Sequence, residues 1–145
     1  MKLMEANGVS PETWSRQRLD LHVRASSKSL HEVRGSLASL AIPPELLDDA
    51  RVLVSELVGN SIRHSGLQAD EYVHITAEWS EARLRIAVHD RPRSAAPPPV
   101  AGSIRPRPGA ESGWGLFIVD RLASRWGTDG TGYWFELDGD RTIRP

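Results

Sequence analysis

Glu56 and Asn60 stand four residues apart in SELVGNSIRH, residues 55 to 64. On a helix that spacing points a carboxylate and an amide the same way. Leu46, Ala50, Leu53, Val54, Leu57 and Ser61 fall on one stripe at about 100° per residue, which puts the polar pair at the border between the core and whatever covers it. An exposed Glu and Asn on a solvated face gives the same spacing, since charged residues are mostly exposed. A second carboxylate, Asp90, has the parity of Leu84, Ile86 and Val88, so it arrives at a strand end facing the side where helices pack. Burying an aspartate alone is costly, so Asp90 needs a partner, for which a structural hydrogen bond to backbone suffices. Finally, Gly113 and Gly115 precede a helical pattern. Glycines there let backbone N–H groups approach an anion, and the dipole favours phosphate; a plain turn before the helix reads the same way.

The elements that hold these residues follow from periodicity. RLDLHV, residues 18 to 23, alternates as a half-buried strand. SLHEVRGSLASLAI predicts a first helix, with Ser29 and Glu32 at capping-box spacing and Leu30, Val33, Leu37 and Leu40 at helical intervals. Pro43 and Pro44 end it and open the second helix, whose first turn carries Glu45, Asp48 and Asp49, the sign the dipole prefers. Ser65 and Gly66 close that helix. Residues 72 to 79 and 83 to 90 predict an antiparallel hairpin turned at Ser80 to Ala82. Residues 91 to 112 hold six of the ten prolines and no periodicity, which reads as a mobile loop or lid. Leu116, Val119, Leu122, Ala123 and Trp126 form the apolar stripe of the third helix, and residues 125 to 128 and 132 to 137 a closing hairpin. Residues 1 to 17 form an N-terminal tail, with Trp14 a candidate to dock on the body, and residues 139 to 145 a C-terminal one.

Composition sets the bounds. At 145 residues the chain fits one domain with a sizeable core. The 39% hydrophobic and 26% charged content is that of an ordinary globular protein. A net charge of −1 gives no global basic field, so direct nucleic-acid binding is not expected. The absence of cysteine removes disulfides, thiolate metal sites and cysteine nucleophiles. No apolar run approaches the roughly 20 residues of a membrane helix, and no signal-peptide hydrophobic region is seen, so a cytoplasmic location is expected. The five histidines, 22, 31, 64, 74 and 89, lack H-E-x-x-H or other strong ligand spacing, which sets aside a metal-dependent hydrolase.

The order of these pieces resembles the Bergerat-fold ATPases of the GHKL superfamily, and within them the small anti-sigma-factor serine kinases. VSELVGNSIRHS (54 to 65), VHD (88 to 90), GWGLFIVDRLASRWG (113 to 127) and YWFEL (133 to 137) carry the resemblance, which spans about residues 18 to 138. It implies an α/β two-layer sandwich with a mixed, mostly antiparallel sheet and three helices on one face. It also implies ATP and Mg²⁺ as ligands, with residues 91 to 112 as the ATP lid. Asn60 matches the asparagine that helps hold Mg²⁺, and Glu56 the general base toward a serine hydroxyl or water. Asp90 matches the aspartate that accepts a hydrogen bond from the adenine amino group. Gly113, Trp114, Gly115 and Leu116 match the second glycine box at the phosphates, and His64, one turn after Asn60, reaches either the phosphates or the core. The partners implied are a sigma factor, an anti-sigma-factor antagonist, and a second copy in a homodimer.

Two departures carry consequences. The first glycine box of the family reads D-x-G-x-G, whereas this chain has DRPRS, so Pro92 and Ser94 replace both glycines. Proline fixes φ and removes a donor, which weakens or removes backbone contacts near the base. The threonine often found on the last strand has no match, since Gly132 lies there. A phosphorylating regulator and a nucleotide-poor interaction module of the same fold both follow from this pattern. No P-loop sequence is present.

Overall fold

The computed structural model describes residues 16–64, 66–68, 70–90 and 115–139, with only the backbone of His64. Residues 1–15, with Trp14, residues 140–145 and the 91–112 loop lie outside the described residues, whereas Gln17, expected in the tail, pairs with Trp79 as the first residue of a strand. Strand β1 spans Gln17–Arg24, α1 Ser29–Ser36, and a 3₁₀ turn Leu37–Ser39. Helix α2 spans Pro44–His64, followed by β2 (Tyr72–Ser80), β3 (Arg83–His89), α3 (Gly115–Leu122), β4 (Arg125–Thr128) and β5 (Gly132–Asp138). The five strands form one sheet in the order β1-β2-β3-β5-β4. Every pairing among them is antiparallel. The result is a two-layer α+β sandwich.

Strand alternation decides which face is covered. Val73, Ile75, Ala77 and Trp79 of β2, Leu84, Ile86 and Val88 of β3, and Tyr133, Phe135 and Leu137 of β5 are buried. Leu46, Ala50, Leu53, Val54, Leu57 and Ser61 of α2 are buried opposite them, at the stripe the sequence sets out. Helix α2 touches α1, α3, β3 and β5, so Val58 is also fully buried. Each fully buried Leu, Ile or Val contributes about 1.5–3 kcal/mol relative to exposure. The other face of the sheet carries charged and ring side chains. There Arg85 donates to Glu136 at 3.1 Å and lies over the Trp134 ring at 4.1 Å.

The start of α1 differs from expectation. Its N-cap is Lys28 and no side chain caps it, so the Ser29–Glu32 capping box does not form. Ser29 Oγ instead donates to the Arg24 carbonyl at 2.7 Å, tying the helix start to the end of β1. The helix also ends at Ser36 and tightens into the 3₁₀ turn, and Leu40 is extended at φ −85°, ψ 132°. Leu40 keeps its core position at 5% exposure.

The hairpin turn between β2 and β3 is built from Glu81 (φ 53°) and Ala82 (φ 59°), two non-glycine residues in the left-handed region. Two consecutive positive φ values match the right-handed twist of a tight hairpin. No helix among the described residues is long and apolar enough to cross a membrane.

Candidate functional site

Helix α2 brings Glu56 and Asn60 to its half-buried edge, because the apolar stripe beside them is fixed on the sheet. Gly115 opens α3 against this edge. A Cβ placed on Gly115 would lie 2.9 Å from Glu56 Oε1 and 3.8 Å from the Glu56 carbonyl oxygen. Only a residue without a side chain lets the first turn of α3 come this close to the carboxylate. Leu116 is half-buried and packs on the core, and Val119, one turn on, is fully buried. These contacts anchor the helix whose N-terminal end faces Glu56. The structure therefore joins Glu56 and Gly115, which belong to separate sequence motifs.

Asp90 follows β3 and is 5% exposed. Its backbone N–H donates to the Thr131 carbonyl at 2.9 Å, which fixes the strand end against the loop before β5. That loop is rigidly made. Asp129 Oδ1 accepts from the Thr131 N–H at 3.0 Å, the Thr131 hydroxyl at 2.8 Å and the Gly132 N–H at 3.2 Å. Burial raises the Asp129 pKa, but the Thr131 hydrogen bonds outweigh it and hold the carboxyl below its ordinary range. Gly132 sits so close to β3 that a Cβ would overlap the Val88 carbonyl oxygen. This backbone leaves no room for a threonine at that position. Thr131 stands next to it, with its hydroxyl shared with His89 Nδ1 at 2.8 Å.

Asn60 lies one turn after Glu56 on the same helix, and His64 is the last residue of α2, with its side chain outside the described residues. Gly113, Trp114, Pro92 and Ser94 also lie outside them. The structure thus offers a half-buried carboxylate and amide on α2, a side-chain-free helix start against that carboxylate, and a buried carboxylate at the end of β3. Two surface clefts occur elsewhere, one lined by Glu78, Ser80, Glu81, Arg83, Arg85 and Glu136 and one by His31, Arg34, Gly35 and Arg51. Neither is lined by Glu56, Asn60, Asp90 or Gly115. They are surface grooves between charged side chains.

One constellation escaped the sequence reading. His22 pairs with His74 and His74 with His89 in strand register, so three of the scattered histidines form a row on the open face. Ligand spacing along the chain misses it, because the row is built across strands. Burial holds the His89 pKa below its ordinary value, against the pull of Asp129.

Comparison with curated proteins finds no match. Among solved structures, the chain is similar to the RsbU and RsbW domains of Rv1364c from Mycobacterium tuberculosis. The TM-score is 0.57 at 19% identity, covering 83% of this chain and 31% of that one. At that identity the likeness speaks for the fold. Residues 22–133, most of the chain, match the histidine kinase-like ATPase domain, and with the sandwich and helix arrangement above the protein belongs to that GHKL-type family.

Proposed function

We propose that the protein is an ATP-binding regulator that transfers the γ-phosphoryl group to a serine or threonine of an antagonist protein and sequesters a sigma factor. Family membership supports nucleotide binding. The observation that carries the reading is the seating of Gly115 against Glu56, which leaves a side-chain-free helix start beside a carboxylate. An RsbW domain in a structural neighbour supports partners of the sigma-regulating kind, which would be met in the cytoplasm. Pairing of two copies belongs to the same reading.

The residues fit the ligands. Asp90 is a buried hydrogen-bond acceptor suited to an adenine amino group. Asn60 offers the amide oxygen that a hard cation takes as ligand. Gly115, with Gly113 and Trp114 before it, would turn backbone N–H groups toward phosphate. Leu116 seats that turn on the core, and His64 lies within one turn of Asn60. Bound Mg²⁺ would neutralise phosphate charge. Glu56 would accept the proton of the attacking hydroxyl as the new O–P bond forms and the bond from the γ-phosphorus to ADP breaks. Positioning and charge neutralisation supply most of the rate in such transfers. Glu56→Ala should abolish transfer to a cognate antagonist while leaving ATP binding nearly intact; equal transfer by the variant would remove Glu56 from the base role.

Pro92 and Ser94 favour a second reading, in which the same fold holds its partner with weak nucleotide binding or none. One robustly phosphorylated partner would defeat it.

A further inference from the structure

The open face of the sheet carries a second constellation, on the side opposite the helices. Asp20 and His22 are two residues apart on β1 and so project from one face. His22 lies directly across from His74 on β2. The two imidazoles are stacked, with ring centroids 4.2 Å apart and planes 4° from parallel. His74 Nε2 is hydrogen-bonded to Asp20 Oδ1. One ligand atom from each of the three side chains lies within 4.8 Å of the others.

We propose that Asp20, His22 and His74 form a binding site for a divalent zinc-class metal ion that clips the edge strand β1 to β2. Two imidazole nitrogens and one carboxylate oxygen are a zinc-type donor set, and the mixture argues against Mg²⁺ or Ca²⁺, which prefer oxygen alone. Zinc–nitrogen bonds of about 2.0–2.1 Å set ligand atoms about 3.3 Å apart in a tetrahedron. Side-chain rotation on the paired strands β1 and β2 would have to close the cluster to that size. Three protein ligands leave a fourth position for water. His74 and Asp20, hydrogen-bonded to each other in the metal-free chain, would exchange that contact for bonds to the ion. Arg18 Nη2, 3.5 Å from Asp20 Oδ2, competes for the same carboxylate but is mostly exposed and free to turn away. His89 comes next in the row, its ring 5.3 Å from that of His74 and its Nδ1 engaged by Thr131, and so flanks the ligand set.

The test titrates the full chain with ZnCl2 by calorimetry in phosphate-free buffer without nucleotide. CoCl2 in the same buffer reports coordination geometry by visible absorption. One ion per chain is expected, with affinity reduced about tenfold or more by His22→Ala and by His74→Ala. His31→Ala, on α1 away from the cluster, should leave it unchanged. Zinc should raise the melting temperature of the parent protein and not that of His22→Ala. Absence of binding, or binding that both cluster variants leave intact, overturns the site. Mg²⁺-ATP affinity should be the same in the parent and His22→Ala, so this site and the nucleotide site stand or fall separately.

Discussion

Gly115→Ala separates the site from the fold. The added Cβ would lie 2.9 Å from Glu56 Oε1 and 3.7 Å from Glu56 Cβ, closer to the carboxylate oxygen than real contacts allow. The oxygen is the far end of a flexible side chain, so the carboxylate swings away and the backbone stays. Rotating it off its preferred geometry costs about 0.5–1.5 kcal/mol. Replacing glycine with alanine in a helix returns up to about 1 kcal/mol. The two nearly cancel, so the melting temperature should move by less than about 4 °C. In the proposed phosphoryl transfer the rate depends on where that carboxylate sits, and a displacement of about 1 Å at a reacting group lowers rates about 100-fold. Calorimetric melting together with ATP turnover measures both quantities on one sample. Unchanged turnover in a well-folded variant would refute the role given to the Gly115–Glu56 contact. A loss of several kcal/mol in stability would refute the claim that the carboxylate yields in place of the backbone.

Gly132→Ala should behave oppositely, because the clash there is with the Val88 carbonyl oxygen and no side chain can move aside. Urea unfolding should show a loss of about 3 kcal/mol, the upper end for overpacking. The turn at Glu81 and Ala82 holds two residues at positive φ, so Glu81→Asn with Ala82→Gly should raise stability by about 1 kcal/mol in the same assay. Burial raises the Glu136 pKa, but hydrogen bonds from Arg125 and Arg85 outweigh it and hold the carboxyl below its ordinary range. A hydrogen bond from Arg125 does the same for Asp138. The folded state thus holds these protons less tightly than the unfolded chain. Their contribution is fully present above an unfolded pKa of about 4 and is lost as pH falls through the folded values. Arg125→Gln should flatten the loss of stability below about pH 4.5 in urea melts taken across that range.

Much of this was legible in the sequence because period and parity are local. The 3.6-residue spacing of Leu46, Ala50, Leu53, Val54 and Leu57 and the alternation in β2, β3 and β5 fixed which faces meet, and those residues are buried. The placement of Asp90 on the helix side followed from parity alone and matches its burial. The capping box is absent because Lys28 and not Ser29 takes the N-cap position, and the Ser29 hydroxyl donates to the Arg24 carbonyl, a contact outside the helix that spacing within it does not reveal. The closeness of Gly115 to Glu56 and the histidine row depend on which strands and helices are neighbours in space. Neither is encoded at short range.

In the proposed function the nucleotide lies between Asn60 on α2 and Asp90 after β3. Calorimetric titration of the purified protein with Mg²⁺-ATP, beside Asn60→Ala and Asp90→Ala, tests it most directly. Binding with a Kd of about 1–100 μM (about −8 to −5.5 kcal/mol) that both substitutions weaken is the expected result. No binding by the parent protein at about 1 mM ATP would contradict it and leave an interaction module whose site Pro92 and Ser94 have closed.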